Sequence, residues 1–229
     1  VYNSQPYERE TVCETEILIP NSISSQSEQQ YTVYVYQNGK KIPAQCIKEL
    51  SNIRYDRRKR IAYRCELPAL GEARVDIRLE TEPKKFLAPT TGDEIVFSDS
   101  IKTIRISRKT GLMESYIVNG KEMLSGGAFR PVMYEDNADP WGWSMERIGK
   151  NPVDFVLCDG STGPFEKLTN VNVIEDGDIL TEVESFFWQG SSFVRISYKM
   201  YKDMPYTDIK ADVFWNEQQK ALKLKMPAA

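Results

Sequence analysis

The chain has 229 residues, 41% of them hydrophobic and 28% charged, with a net charge of −3. That length suits one large all-β domain or two smaller ones. The mild negative charge leaves no basic footprint for nucleic acid, and no apolar run approaches the roughly 20 residues of a membrane helix. Histidine is absent altogether, so histidine triads, histidine acid–base pairs and histidine-ligated zinc are excluded from this chain. Chemistry here would fall to carboxylates, Tyr, Lys or Cys.

Residues 1–87 read as a small β-sandwich of immunoglobulin-like type, with short strands at regular spacing. Thr11 to Ile19 alternates as an edge strand. Tyr31 to Tyr36 is rich in strand formers. Asn38-Gly39 tolerates positive φ at both central turn positions, so a hairpin is expected, with Ile42 to Ile47 as the returning strand. Arg54 to Arg60 reads as a solvated hairpin tip. Ile61 to Leu67 and Ala73 to Leu79 are two more strands, separated by Pro68-Ala69-Leu70-Gly71. Of the four cysteines, none forms a CxxC pair, and buried reduced thiols are expected. If one disulfide exists, Cys46–Cys65 is the expected pair.

Glu80 to Asp93, with Pro83, Pro89 and Gly92, is the linker candidate. A second β domain, residues 88–229, follows. Glu94 to Val96, Lys102 to Ser107 and Leu112 to Val118 are its first strands. Gly126 to Pro152 is expected to be irregular, because Pro and Gly interrupt it. Asp176-Gly177-Asp178 reads as a type I′ turn rather than a calcium loop.

The last quarter predicts four strands. Thr181 to Trp188 is the first. Val194, Ile196, Tyr198 and Met200 alternate with polar residues, as do Ile209, Ala211, Val213 and Trp215, and then Leu222, Leu224 and Met226. Short links predict a meander with one apolar face. The final strand has no successor to pair with, an arrangement usually avoided in sheets. The expectation is a piece of a longer protein.

The candidate site lies in the irregular stretch. Arg130, Tyr134, Asp136, Asp139, Trp141, Trp143 and Glu146 are the candidate carbohydrate contacts. Tryptophans offer flat apolar faces to sugar rings, and paired carboxylates serve glycosidases. The blander reading has the tryptophans plugging the sandwich and the acids capping turns. A small glycosidase using Glu135, Asp136 or Glu146 is a further alternative.

Asp208 to Glu217, then Lys220-Ala221-Leu222-Lys223-Leu224-Lys225-Met226-Pro227, resembles the central β-region of the zinc-dependent retaining α-mannosidases. Leu67 to Gly71, Lys109 to Ser115, and Tyr134-Glu135-Asp136 with Asp139-Pro140-Trp141 resemble other parts of that region, in the same order. The resemblance implies a large galactose-mutarotase-like antiparallel supersandwich after the small domain. It implies a catalytic α/β barrel elsewhere in the parent chain, holding zinc and the nucleophilic Asp, with α-mannosides as substrate. No catalytic residue, metal ligand or cofactor is carried over to this chain, which is expected to be inactive alone. A cytoplasmic location is the expectation. An autonomous carbohydrate-binding module built on Trp141 and Trp143 is the competing reading.

Overall fold

A computed structural model describes residues 1–19, 28–48, 58–83, 91–136, 150–160 and 170–229. Among them every regular element is a β-strand, and the sheets are built on antiparallel pairs, as the sequence predicts. The chain divides into two compact units, Val1–Pro89 with Ile174–Thr181, and Thr90–Val173 with Glu182–Ala229.

In the first unit the strands are β1 (Arg9–Leu18), β2 (Gln29–Gln37), β3 (Lys40–Ile42), β4 (Ala44–Ile47), β5 (Arg58–Leu67) and β6 (Val75–Pro83). They form two three-stranded sheets, ordered β1-β5-β4 and β3-β2-β6. Val33 and Val35 of β2 join Ile61, Tyr63, Cys65 and Leu67 of β5 in one core. Asn38 and Gly39 have φ of 52° and 76°, the double positive value of the expected hairpin turn.

Three expectations need correction here. The strand expected over Ile42 to Ile47 is two strands. Pro43 has no N–H to donate, so β3 ends on β2 and β4 pairs with β5 in the other sheet. The charge run is not all turn: Arg58, Lys59 and Arg60 belong to β5, where Arg58 and Arg60 form ion pairs with Glu16 and Glu14 of β1. Residues 54–57 lie outside the described set. Glu80 to Pro83 is not linker but the end of β6, paired with Gln29 to Thr32.

The remaining strands are β7 (Glu94–Ser98), β8 (Lys102–Ser107), β9 (Met113–Val118), β10 (Lys121–Glu122), β11 (Arg130–Glu135), β12 (Val153–Asp154), β13 (Val156–Leu157), β14 (Val171–Asp176), β15 (Leu180–Gln189), β16 (Ser192–Tyr201), β17 (Thr207–Phe214) and β18 (Lys220–Lys225). Their sheets run β10-β9-β8-β7, β12-β11-β18 and β13-β15-β16-β17, with β14 beside β15. Val194, Ile196, Tyr198 and Met200 are wholly buried, on the face their alternation predicts. They meet Ile104, Ile106, Met113 and Phe187 in the core of the second unit.

The closing meander is corrected too. Its first three strands are neighbours, but β18 leaves them and pairs with β11, from Arg130↔Lys225 to Glu135↔Lys220. The link is tied back instead of forming a hairpin. A Glu217 oxygen accepts from Ser191 N at 2.7 Å and from Ser192 Oγ at 3.3 Å, while Asn216 N donates to Ser192 Oγ at 2.8 Å. Gln219 then turns the chain at a φ of 53°. The last strand is thus paired along β11 on one side and, among the described strands, stands at the end of its sheet. The apolar face expected from Ile209 to Trp215 is only partly covered: Ile209 of β17 and Trp215 just beyond it pack on the core, whereas Val213 is 45% exposed. Among the described strands β17 has a neighbour on one side only.

The stretch from Gly126 to Pro152 is not irregular throughout. It contains β11, whose Val132, Met133 and Tyr134 are buried. A proline early in a strand removes one donor without ending the ladder, and Pro131 sits second in β11.

The Asp176-Gly177-Asp178 turn is not of type I′, because none of the three has positive φ. A Cβ on Gly177 would lie 2.3 Å from Cδ of Gln45, so a larger residue there would have to push that side chain aside. Gln45 Oε1 accepts from Ile179 N and Leu180 N at 3.1 Å each, and its amide donates to Glu175 at 3.3 Å. No disulfide joins any of the four cysteines. The pair within reach of one another is Cys13 and Cys65, with sulfurs 3.5 Å apart, rather than Cys46 and Cys65.

Candidate functional site

The described candidates, Arg130, Tyr134 and Asp136, lie on β11 and at its end. Alternation along Arg130-Pro131-Val132-Met133-Tyr134-Glu135 puts Arg130, Val132 and Tyr134 on one face and Met133 and Glu135 on the other. Pairing with β18 then sets Lys225 opposite Arg130 and Lys223 opposite Val132. The ammonium groups of Lys223 and Lys225 lie 5.3 and 5.9 Å from the centroid of the Tyr134 ring. These are cation–π distances, and the tyrosine keeps only 9% of its surface.

Arg130 donates to Asp154 of β12 at 3.1 Å, with both side chains nearly half exposed. A pair so exposed contributes about 0–1 kcal/mol, so it orients the guanidinium more than it stabilises the sheet. Glu135 accepts from Asn151 Nδ2 at 2.9 Å and stands 3.8 Å from Lys220 Nζ. Asp136 follows the strand, and its N–H donates to Gln219 O at 2.8 Å.

The structure thus brings Arg130, Tyr134 and Asp136 onto one strand and its end. Asp139, Trp141, Trp143 and Glu146 lie outside the described residues. Lys223 and Lys225 alternate with the apolar residues of β18 and are exposed. The pairing of β18 with β11 that puts them over Tyr134 has no local signal. The resulting face sets two exposed lysines over the buried Tyr134 ring, with the Arg130–Asp154 pair on the same sheet. Among the described residues no group of three or more Cys, Asp or Glu side chains could hold a metal ion.

A second polar centre went unnoticed in the sequence. Lys102 is fully buried, and its Nζ donates to Asp99 Oδ2 at 3.0 Å, Tyr201 O at 2.6 Å and Met204 O at 2.7 Å. Asp99 also accepts from the N–H groups of Ile101 and Lys102 at 2.8 Å and of Asp203 at 2.9 Å. Burial alone would raise the Asp99 carboxyl, but these donors and the ammonium outweigh it and hold it below the ordinary carboxylate value. This centre joins the loop before β8 to the loop after β16. Asp99-Ser100-Ile101-Lys102 is its only sequence trace, an Asx-type turn closed by a lysine.

A family model for the C-terminal domain of glycosyl hydrolases family 38 matches residues 98–229, more than half of the chain. This chain belongs to glycosyl hydrolase family 38. A solved structure of a family 38 protein from Enterococcus faecalis superimposes on 99% of the chain with a TM-score of 0.56 and 9% identity. At that identity the likeness shows the fold alone. The family 38 chain spans 32% of the length of that protein. No curated protein matches it. The β11, β12 and β18 site and the Lys102 centre both lie within the matched residues of the family 38 domain.

Proposed function

We propose that this chain is the non-catalytic β-region of a family 38 enzyme that hydrolyses α-mannosides, and that it packs on a catalytic barrel of the same parent polypeptide. The observation that carries the reading is the match to the family's C-terminal domain over residues 98–229. The absence of histidine supports it, since the zinc and acid–base chemistry implied by the resemblance would then belong to the barrel. In this reading Arg130, Tyr134, Asp136, Asp139, Trp141, Trp143 and Glu146 line the sugar site from the β side. Four cysteines with no disulfide among them suit the reducing cytoplasm in which the enzyme would work.

The test uses the full parent enzyme and an aryl α-mannoside. Trp141→Ala and Asp139→Ala should each raise KM or lower kcat/KM by roughly tenfold or more, which corresponds to about 1.4 kcal/mol of lost binding. Unchanged kinetic constants in both variants would remove the sugar-lining role. Binding of mannosides by the 229-residue chain alone, seen by calorimetry, would favour an autonomous carbohydrate-binding module instead.

A further inference from the structure

We propose that Cys13 and Cys65 form an oxidisable dithiol, a modification site at which a peroxide converts two thiols into a disulfide bridging β1 and β5. Three observations meet there. The two sulfurs stand 3.5 Å apart, within van der Waals contact. Thr11 lies opposite Cys65 and Cys13 opposite Tyr63, so the cysteines are diagonal partners on adjacent antiparallel strands and face the same side of the sheet. Their exposures differ: Cys13 is half-buried and Cys65 is 1% exposed. One sulfur can meet a small solute while the other waits behind it, which is the arrangement of an attacking and a resolving cysteine.

The difference in exposure assigns the roles, and electrostatics agrees with it. The two sulfurs share a hydrogen bond in which either can donate, and this bond outweighs the cost of burial and lowers the Cys13 thiol from its ordinary 9.0 to about 7. The same bond, with burial, pushes the Cys65 thiol up, so it keeps its proton. The Cys13 thiolate attacks one peroxide oxygen: the S–O bond forms, the O–O bond breaks and hydroxide leaves. The Cys65 sulfur then attacks the Cys13 sulfur: the S–S bond forms, the S–O bond breaks, and water leaves with the Cys65 proton. The two sulfurs lose two electrons and the peroxide gains them. Diagonal partners in a sheet stand about 7–8 Å apart at Cα, at or beyond the wide end of disulfide geometry. Closure therefore pulls the strands together locally and leaves a bond that thiols reopen readily.

The test treats the folded, reduced chain with hydrogen peroxide, then maps disulfides by mass spectrometry without reduction. The expected product is a linked peptide pair holding Cys13 and Cys65, lighter by roughly 2 Da than the two reduced peptides. It should be reversed by dithiothreitol and at least tenfold more abundant than in chain oxidised while unfolded in urea. Cys46→Ser should leave the link intact. Cys65→Ser should instead leave a sulfenic acid on Cys13 that dimedone traps. Links through Cys46 or Cys158, a yield no higher than in urea, or four intact thiols after peroxide would each overturn the assignment.

Discussion

Replacing Lys102 with methionine tests how the second unit holds its loops. Methionine is unbranched and fills much of the same space, so the change removes charge and donors with little loss of packing. Three hydrogen bonds disappear, to Asp99, Tyr201 O and Met204 O. The Asp99 side chain is 5% exposed and would lose its cation. Removing one member of a buried pair costs about 3–5 kcal/mol. Asp99 retains its three backbone donors, which places the expected loss near the lower end, about 3 kcal/mol. For a unit of this size that is a fall of roughly 10 °C in the melting transition of its β-signal. Adding Asp99→Asn should restore at least about 1 kcal/mol, because the stranded charge goes. Thermal and urea unfolding followed by tryptophan fluorescence and circular dichroism would measure both. A loss below about 1 kcal/mol in Lys102→Met would refute the reasoning, since it would mean that water or rearrangement replaces the lysine without cost.

Gly177→Ala should destabilise the first unit by about 1–2 kcal/mol, because the new Cβ displaces the Gln45 amide and breaks its bonds to Ile179 and Leu180. On a Gln45→Ala background the same change should cost almost nothing; full additivity in this double-mutant cycle would sink the explanation. Acid should weaken the second unit. Burial would raise the carboxyls of Asp99, Glu122 and Asp212, but in each case hydrogen-bond donors prevail and lower them from ordinary values of 3.8, 4.5 and 3.8. Groups depressed in the folded state contribute stability that is fully present above those ordinary values and is lost as pH falls through the lower folded ones. The urea midpoint should hold steady from pH 7 to about 5 and drop below about 4, and Asp99→Asn should flatten that drop. A midpoint that rises on acidification would contradict it.

Local signals carried most of the strand assignments. Alternation at Val194 to Met200 and the Asn38-Gly39 turn act within a few residues, so the sequence displays them directly. What it hid depends on distant partners. Pro43 switches the chain between sheets, yet a proline beside a turn looks like ordinary punctuation. β11 was obscured by its flanking Gly126-Gly127 and Pro140, although Val132, Met133 and Tyr134 form a buried apolar run. The destination of β18 follows from Glu217 reaching back to Ser191 and Ser192, about 25 residues upstream, and no periodicity reports such a bond. The same holds for Cys13 and Cys65, 52 residues apart in the chain. In the candidate site the residue types were legible from composition, but the lysines facing Tyr134 were fixed only by strand pairing.

The most direct measurement concerns where hydrolysis resides. Purified 229-residue chain, shown by circular dichroism to be folded, is mixed with an aryl α-mannoside and zinc, and release of the aryl group is followed. An accessory β-region predicts no release above the enzyme-free rate. Turnover by this chain that falls when Glu135 or Asp136 is changed to its amide would contradict the account and place catalysis on the β-sheets themselves.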